Sequence, residues 1–173
     1  MLGDYLMKAY FLGKLGLLKL NKKPHLIGEL NDINNELILL KEIADRELAS
    51  IYGLTGMVYT PHLDAYMQVC IKKAEILACL KRQNILPLSE VELISTALDN
   101  RYKRTKNRSN VEFEGAHYER RFLPFKLSKS GKNVQKWVRV WFLLLPNGKV
   151  DPHWKSQVRE VWPTYFLIRS IEL

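Results

Sequence analysis

The chain has 173 residues, and that length suits one domain or two small ones, because domains typically hold about 100–200 residues. Hydrophobic residues make up 47% of the chain and charged residues 26%, which excludes a disordered, collagen-like or low-complexity polymer and leaves a globular protein. The formal net charge of +9 favours an anionic partner.

The first twenty residues predict an amphipathic helix. Asp4 precedes any basic residue and three lysines interrupt the apolar run, so neither a secretory signal peptide nor a membrane span fits. We expect this helix to pack on the rest of the domain or on a partner rather than on a membrane surface.

The next two segments predict an α-hairpin. An apolar residue recurs every three or four positions over residues 24–52, which indicates a long amphipathic helix. Its apolar stripe consists of Leu26, Leu30, Ile33, Leu37, Leu40, Ala44, Leu48 and Ile51. A second helix is predicted from Pro61 to about Gln83, with Thr60 as its capping residue. The helical half also offers a surface for a protein partner or a homodimer.

Residues 47–55, Glu-Leu-Ala-Ser-Ile-Tyr-Gly-Leu-Thr, resemble the first helix and turn of helix-turn-helix DNA-binding units. Ala49 and Gly53 match the small and turn positions of that family. The resemblance implies that the following segment is a recognition helix. Pro61 interrupts that segment and no Lys or Arg occurs in it before Lys72, which favours an ordinary glycine turn between packed helices.

The two cysteines, Cys70 and Cys79, lie nine residues apart on the second predicted helix of the hairpin. At 100° per residue they are about 180° apart around its axis and should not pair with each other. A reducing cytosol is therefore the expected location.

The following helix begins at Ser89, where Glu92 completes a capping box, and it ends in a basic segment, residues 101–110. Residues 1–100 hold 11 Lys and Arg against 12 Asp and Glu, whereas residues 101–173 hold 16 against 6. The basic excess is confined to the C-terminal part. Such a density is typical of polyanion binding, and also of a merely solvated surface.

After Asn110 the apolar period changes from 3.6 to 2 and all four Trp residues occur, which predicts β-strands. A short strand is predicted over residues 111–114. A hairpin follows, with strands Tyr118–Leu127 and Val134–Leu145 joined by a polar loop that contains Gly.

The C-terminal segment predicts a short helix and a last strand. Asp151 and Pro152 begin the helix, whose buried face consists of Trp154, Val158 and Trp162. The last strand is predicted over residues 164–171. The fold class is therefore α+β, with a helical domain over residues 1–100, a basic junction over 101–110 and a β-rich basic domain over 111–173.

The hairpin sequence also predicts which residues face each other. If Leu127 lies opposite Val134, the numbers of every facing pair add to 261, and one face then carries mostly apolar pairs that suit a core. The opposite face carries the pairs Lys126/Gln135, Pro124/Trp137, Phe122/Arg139, Arg120/Trp141 and Tyr118/Leu143. We call this second face the aromatic-basic face. It suits base stacking with cations for phosphates, or aromatic rings packed under helices while arginines reach solvent.

These features predict a small nucleic-acid-binding protein, with DNA favoured over RNA as its ligand. The candidate binding residues are Arg101, Lys103, Arg104, Lys106, Arg108, Arg120, Phe122, Lys126, Lys129, Lys132, Trp137, Arg139 and Trp141. The alternative from another class is a non-catalytic helical interaction subunit whose basic half docks an acidic protein partner.

Catalysis has weaker support in the sequence. The four His residues lack zinc-ligand spacing, and there is no dinucleotide-binding or Walker A sequence, so no catalytic residue, metal or cofactor is predicted. A third hypothesis is a metal-dependent nuclease that uses Glu112 and Glu114 with Glu119 or Asp99.

Overall fold

The computed structural model describes residues 24–54, 59–128 and 133–163. These residues form two compact units, one over residues 24–87 and the other over residues 88–163. Helices come first, and a three-stranded antiparallel sheet with one short helix follows, which confirms the predicted α+β class. The predicted N-terminal helix and the predicted strand over residues 164–171 lie outside the described residues.

The helical unit is an α-hairpin of α1 (Gly28–Ser50) and α2 (Pro61–Arg82). Ile33 near the start of α1 packs against Ile76 and Leu80 near the end of α2, so the two helices run antiparallel. The ends of the predicted apolar stripe do not join this core, because Leu26 is 70% exposed and Leu48 is 49% exposed.

The start of α2 is capped differently from the prediction. Thr60 occupies the capping position, but its side chain makes no capping hydrogen bond. The Glu47 carboxylate of α1 accepts the backbone N–H of Leu63 at 2.7 Å and that of His62 at 3.4 Å. Gly53 follows α1 with a φ of 81°, a left-handed conformation that suits glycine, as the predicted glycine turn requires.

The second unit, which we call the sheet unit, contains α3 (Glu90–Arg101), β1 (Asn110–Phe113), β2 (Ala116–Leu127), β3 (Val134–Leu144) and α4 (Pro152–Val161). The predicted capping box begins α3, since Glu92 accepts the Ser89 backbone N–H at 2.6 Å. Asp151 caps α4 by accepting the N–H of Trp154 at 2.8 Å. The predicted face of α4, with Trp154, Val158 and Trp162, is buried.

The register between β2 and β3 follows the predicted rule from His117/Leu144 to Pro124/Trp137. Beyond Pro124 it shifts, because Lys126 lies opposite Lys136 instead of Gln135, and Leu127 returns to Val134. Proline has no backbone N–H for the ladder, which favours a bulge beside it. The predicted apolar face is buried along β3, at Val138, Val140 and Phe142.

No helix in the described ranges is long and apolar enough to cross a membrane. Neither Cys70 nor Cys79 forms a disulfide bond in the described part of the chain.

Candidate nucleic-acid interface

The segment that begins at the last residue of α3 is rich in positive charge. Residues 101–108, called the basic loop below, carry five exposed cations: Arg101, Lys103, Arg104, Lys106 and Arg108. None of the five forms an ion pair with any residue that the structure describes. No Asp or Glu occurs between Asp99 and Glu112, so this charge is not neutralised within the loop.

The basic loop is fixed against β2. The Asn107 side chain accepts the backbone N–H of Phe122 at 2.8 Å, and the Arg108 N–H donates to the Arg120 carbonyl at 2.6 Å. The Tyr102 hydroxyl donates to the Glu112 carbonyl at 2.7 Å. The loop therefore runs beside the hairpin and places its cations next to it. Sequence reasoning missed Asn107, although Asn in a polar loop is a common partner of backbone N–H groups.

One end of the aromatic-basic face is closed. Tyr118, Arg120 and Trp141, called the inner end, are 4%, 2% and 0% exposed. Asp99 of α3 accepts the Trp141 indole N–H at 2.8 Å and lies 3.4 Å from the Arg120 guanidinium. Arg120 also donates to the Tyr102 carbonyl at 2.6 Å, and its guanidinium stacks 4.9 Å from the Trp141 ring centroid.

Helix α4 completes this enclosure. The Trp154 indole N–H donates to the Trp141 carbonyl at 3.0 Å, and its ring meets Tyr118 edge-on at 5.5 Å. The naming of Arg120 and Trp141 as candidate binding residues is therefore corrected: both side chains belong to the core of the sheet unit, as in the alternative in which the rings of this face pack under helices. The physical reason is Asp99, which gives the buried cation and the buried indole a shared acceptor.

The other end of the same face stays open. It consists of Phe122, Pro124, Trp137 and Arg139, called the outer end. Trp137 is 53% exposed, and the exposed Arg139 guanidinium lies 5.4 Å from the Phe122 ring centroid. The Arg120 guanidinium lies 5.9 Å from the same ring, so two cations hold it. The structure thus brings together the predicted residues Phe122, Trp137 and Arg139 on one face of the hairpin, and strand β2 of that hairpin also holds the basic loop through Asn107.

The remaining candidates are more dispersed. Lys126 lies on β2 at the register shift, and Lys129 and Lys132 lie outside the described residues. Of the acids considered for a nuclease, Asp99 is buried in the inner end and Glu119 pairs with Arg121 at 2.8 Å. The described part of the chain contains no group of three His, Cys, Asp or Glu residues that could hold a metal ion.

No protein-family model, curated protein or solved structure matches this chain.

Proposed function

We propose that this protein binds nucleic acid, holding the phosphate backbone with the basic loop and contacting bases with the outer end. One observation carries the proposal: five exposed, unpaired cations lie within eight residues of a loop that is hydrogen-bonded to β2 at Phe122, and the same hairpin carries the exposed Trp137 and the Phe122–Arg139 stack. A nucleic acid offers phosphates to the cations and base rings to the aromatic side chains.

The charge of the two units supports the same assignment. Residues 88–163 hold 15 Lys and Arg against 8 Asp and Glu, a net charge of +7. Residues 24–87 hold 6 against 8, a net charge of −2. The sheet unit is therefore the part of the chain that attracts a polyanion.

Salt dependence tests the proposal. If the five loop cations and Arg139 each contact a phosphate of a duplex, log affinity should fall with log salt at a slope of about −5, from about −0.9 per contact. The measurement is a titration of the full chain with labelled DNA and RNA at several salt concentrations. A slope shallower than about −2 on every nucleic acid contradicts the proposal. Displacement by an acidic protein as easily as by an oligonucleotide would favour the docking of an acidic protein partner.

A matched pair of variants separates the loop from net charge. Lys103→Gln, Arg104→Gln and Lys106→Gln together should make the slope shallower by about 3, because three phosphate contacts are lost. The control removes three exposed cations elsewhere, with Lys72→Gln, Arg82→Gln and Lys149→Gln. We expect the control to retain nearly the whole slope. If the slope became shallower by the same amount in both triple variants, binding would depend on the net charge of the chain and not on the basic loop.

A second proposal, self-association through α1, is favoured by an exposed stripe that is distinct from the core. The stripe has 4-3-4-3 spacing and consists of Asp32, Glu36, Leu39, Ile43 and Arg46, all exposed. Leu39 is 71% exposed and Ile43 is 42% exposed. In an antiparallel second copy, Leu39 would meet Ile43, and Arg46, which pairs with Glu42 of its own helix, would meet Glu36.

Sedimentation measures this association directly. Leu39→Lys should shift the chain toward monomer, whereas Ile38→Lys, one residue off the stripe and 70% exposed, should leave it unchanged. Glu36→Arg alone should weaken association, and adding Arg46→Glu should restore it because the swapped charges again face each other. A wild-type chain that stays monomeric at high concentration contradicts this proposal.

A further inference from the structure

We infer that the ligand is single-stranded nucleic acid whose successive bases stack on Trp137 and on the Phe122–Arg139 pair, in which the guanidinium plane lies over the ring; this inference rests on the function proposed above. Both rings lie on one face of the hairpin, in adjacent facing pairs. Trp137 pairs with Pro124, and Phe122 pairs with Arg139. The two rings are therefore diagonal neighbours across β2 and β3.

The spacing of these rings decides between single and double strands. Diagonal neighbours on a sheet face are about 7–8 Å apart. Successive base pairs of a duplex are about 3.4 Å apart, and their flat faces are covered by each other. Two bases can lie on both side chains only when they are unpaired and separated to about twice the duplex spacing. A duplex cannot offer its bases in this way.

The side chains of the outer end also suit stacking better than reading base edges. Readout in a duplex groove uses Arg, Lys, Asn, Gln, Ser or Thr side chains that hydrogen-bond to base edges. Of Phe122, Pro124, Trp137 and Arg139, only Arg139 belongs to that group, and its guanidinium lies over the Phe122 ring. The outer end is therefore a surface of rings flanked by one cation.

The parts of the sheet unit around the outer end provide positive charge for the phosphates of a single strand and place no exposed carboxylate on the aromatic-basic face. The basic loop is joined to the β2 backbone at Phe122 through Asn107, so the loop flanks the strand that carries one of the two rings. Neither β2 from Tyr118 to Pro124 nor β3 from Trp137 to Leu143 places a carboxylate on the aromatic-basic face; the carboxylate of Asp99 there is buried and paired. The buried inner end fixes the same two strands, so the surface exists before any ligand binds.

The wild-type chain gives the first test. Its probes are oligo(dT) and oligo(rU) of about 12 nucleotides, within known single-strand site sizes, and the duplex of oligo(dT) with oligo(dA). We expect tighter binding to the single strands. We also expect their binding to quench tryptophan fluorescence, because Trp137 is 53% exposed whereas Trp141, Trp154 and Trp162 are at most 5% exposed.

Substitutions at Trp137 then test whether a base stacks on its ring. Trp137→Leu should weaken oligo(dT) binding about 5- to 140-fold, the equivalent of the roughly 1–3 kcal/mol measured for one base–aromatic stack. Trp137→Phe should keep most of the affinity because the ring remains. The matched control is Tyr52→Leu, which removes a 93% exposed ring from the helical unit and should change nothing. Phe122→Leu is the second test of the stack should Trp137→Leu fail to fold.

The outcomes separate the inference from the proposed function. If neither single nor double strands bind, both fail. If the duplex binds as tightly as the single strands, and the Trp137 and Phe122 variants bind like wild type while the loop triple variant is weakened, the single-strand inference is overturned and backbone binding stands. Fluorescence quenching by oligo(dT) together with loss of binding in Trp137→Leu supports the inference.

Discussion

The two ends of the aromatic-basic face have the same kind of sequence and opposite environments. Each end pairs an aromatic ring on one strand with an arginine on the other: Arg120 with Trp141 at the inner end, and Phe122 with Arg139 at the outer end. Trp141 is fully buried, whereas Trp137 is 53% exposed. The environment of a strand face therefore depends on elements that are distant in sequence, here α3 and α4.

Electrostatics explains why only one arginine is buried. Removing a guanidinium from water is costly unless a carboxylate and further acceptors replace the water. Arg120 has Asp99 and the Tyr102 carbonyl, while Arg139 has no carboxylate partner among the described residues and stays in solvent. The inner end is therefore structural, and the outer end is available to a ligand.

Two tryptophan substitutions should differ more in their effect on stability than any other pair of variants. Trp141→Ala should lower the free energy of unfolding by about 3–5 kcal/mol, because it leaves a cavity between β3, α3 and α4. Trp137→Ala should change it by no more than about 0.5 kcal/mol, as expected at an exposed site. Denaturant midpoints of the two variants measure this contrast. Equal midpoints would mean that the two ends of the face do not differ as described.

The hairpin shows how far the sequence alone can lead. The facing pairs from His117 to Pro124 follow from loop length and alternation, since a register shift of one residue would turn the apolar face to solvent. The shift beyond Pro124 could not be placed, because sequence indicates that a proline disturbs the ladder but not which residue the bulge absorbs.

The burial of the inner end was not predictable from the hairpin. The nuclease hypothesis gives Asp99 the role of a metal ligand, whereas the structure places it on the buried side of α3, one residue after the buried Leu98. An acid on the buried face of a helix requires a buried donor, but the sequence does not say which of the many donors of the hairpin that is. The capping box and the run of cations in the basic loop could be predicted because each lies within a few consecutive residues, whereas the attachment of that loop to Phe122 could not.

Removing the charge of Asp99 should lower the stability of the folded chain by an intermediate amount. Asp99→Asn keeps the shape of the side chain but removes the charge that faces Arg120, and it should lower the free energy of unfolding by about 1.5–3 kcal/mol, the range for hydrogen bonds to charged groups. The control is Glu112→Gln, which neutralises an exposed acid of the same unit and should be nearly neutral. Chemical denaturation of both variants is the measurement. An Asp99→Asn chain as stable as wild type would remove the electrostatic explanation of the inner end.

The smallest effect is confined to alkaline pH and concerns Tyr118. Burial raises the pKa of its phenol above the ordinary value of 10, and the negative charges of Glu90 and Glu114 raise it further. The folded chain therefore keeps the phenol proton at a pH where the unfolded chain has lost it. The stability from this group is complete below the unfolded pKa and is lost as pH rises through the folded pKa.

Tyr118→Phe isolates that contribution, because it keeps the ring that meets Trp154 and removes the titrating group. Between about pH 8 and about pH 11 the free energy of unfolding should fall less in Tyr118→Phe than in wild type. The free energy of unfolding of Tyr52→Phe, which is changed at a 93% exposed position, should fall as steeply with pH as that of wild type. The titration of the other tyrosines, the lysines and the cysteines contributes equally to both curves and therefore cancels in the comparison. If the free energy of unfolding falls equally in Tyr118→Phe and in wild type, the phenol is not in the low-dielectric surroundings that the inner end requires. The distinction between the two ends would then rest on Asp99 and Trp141 alone.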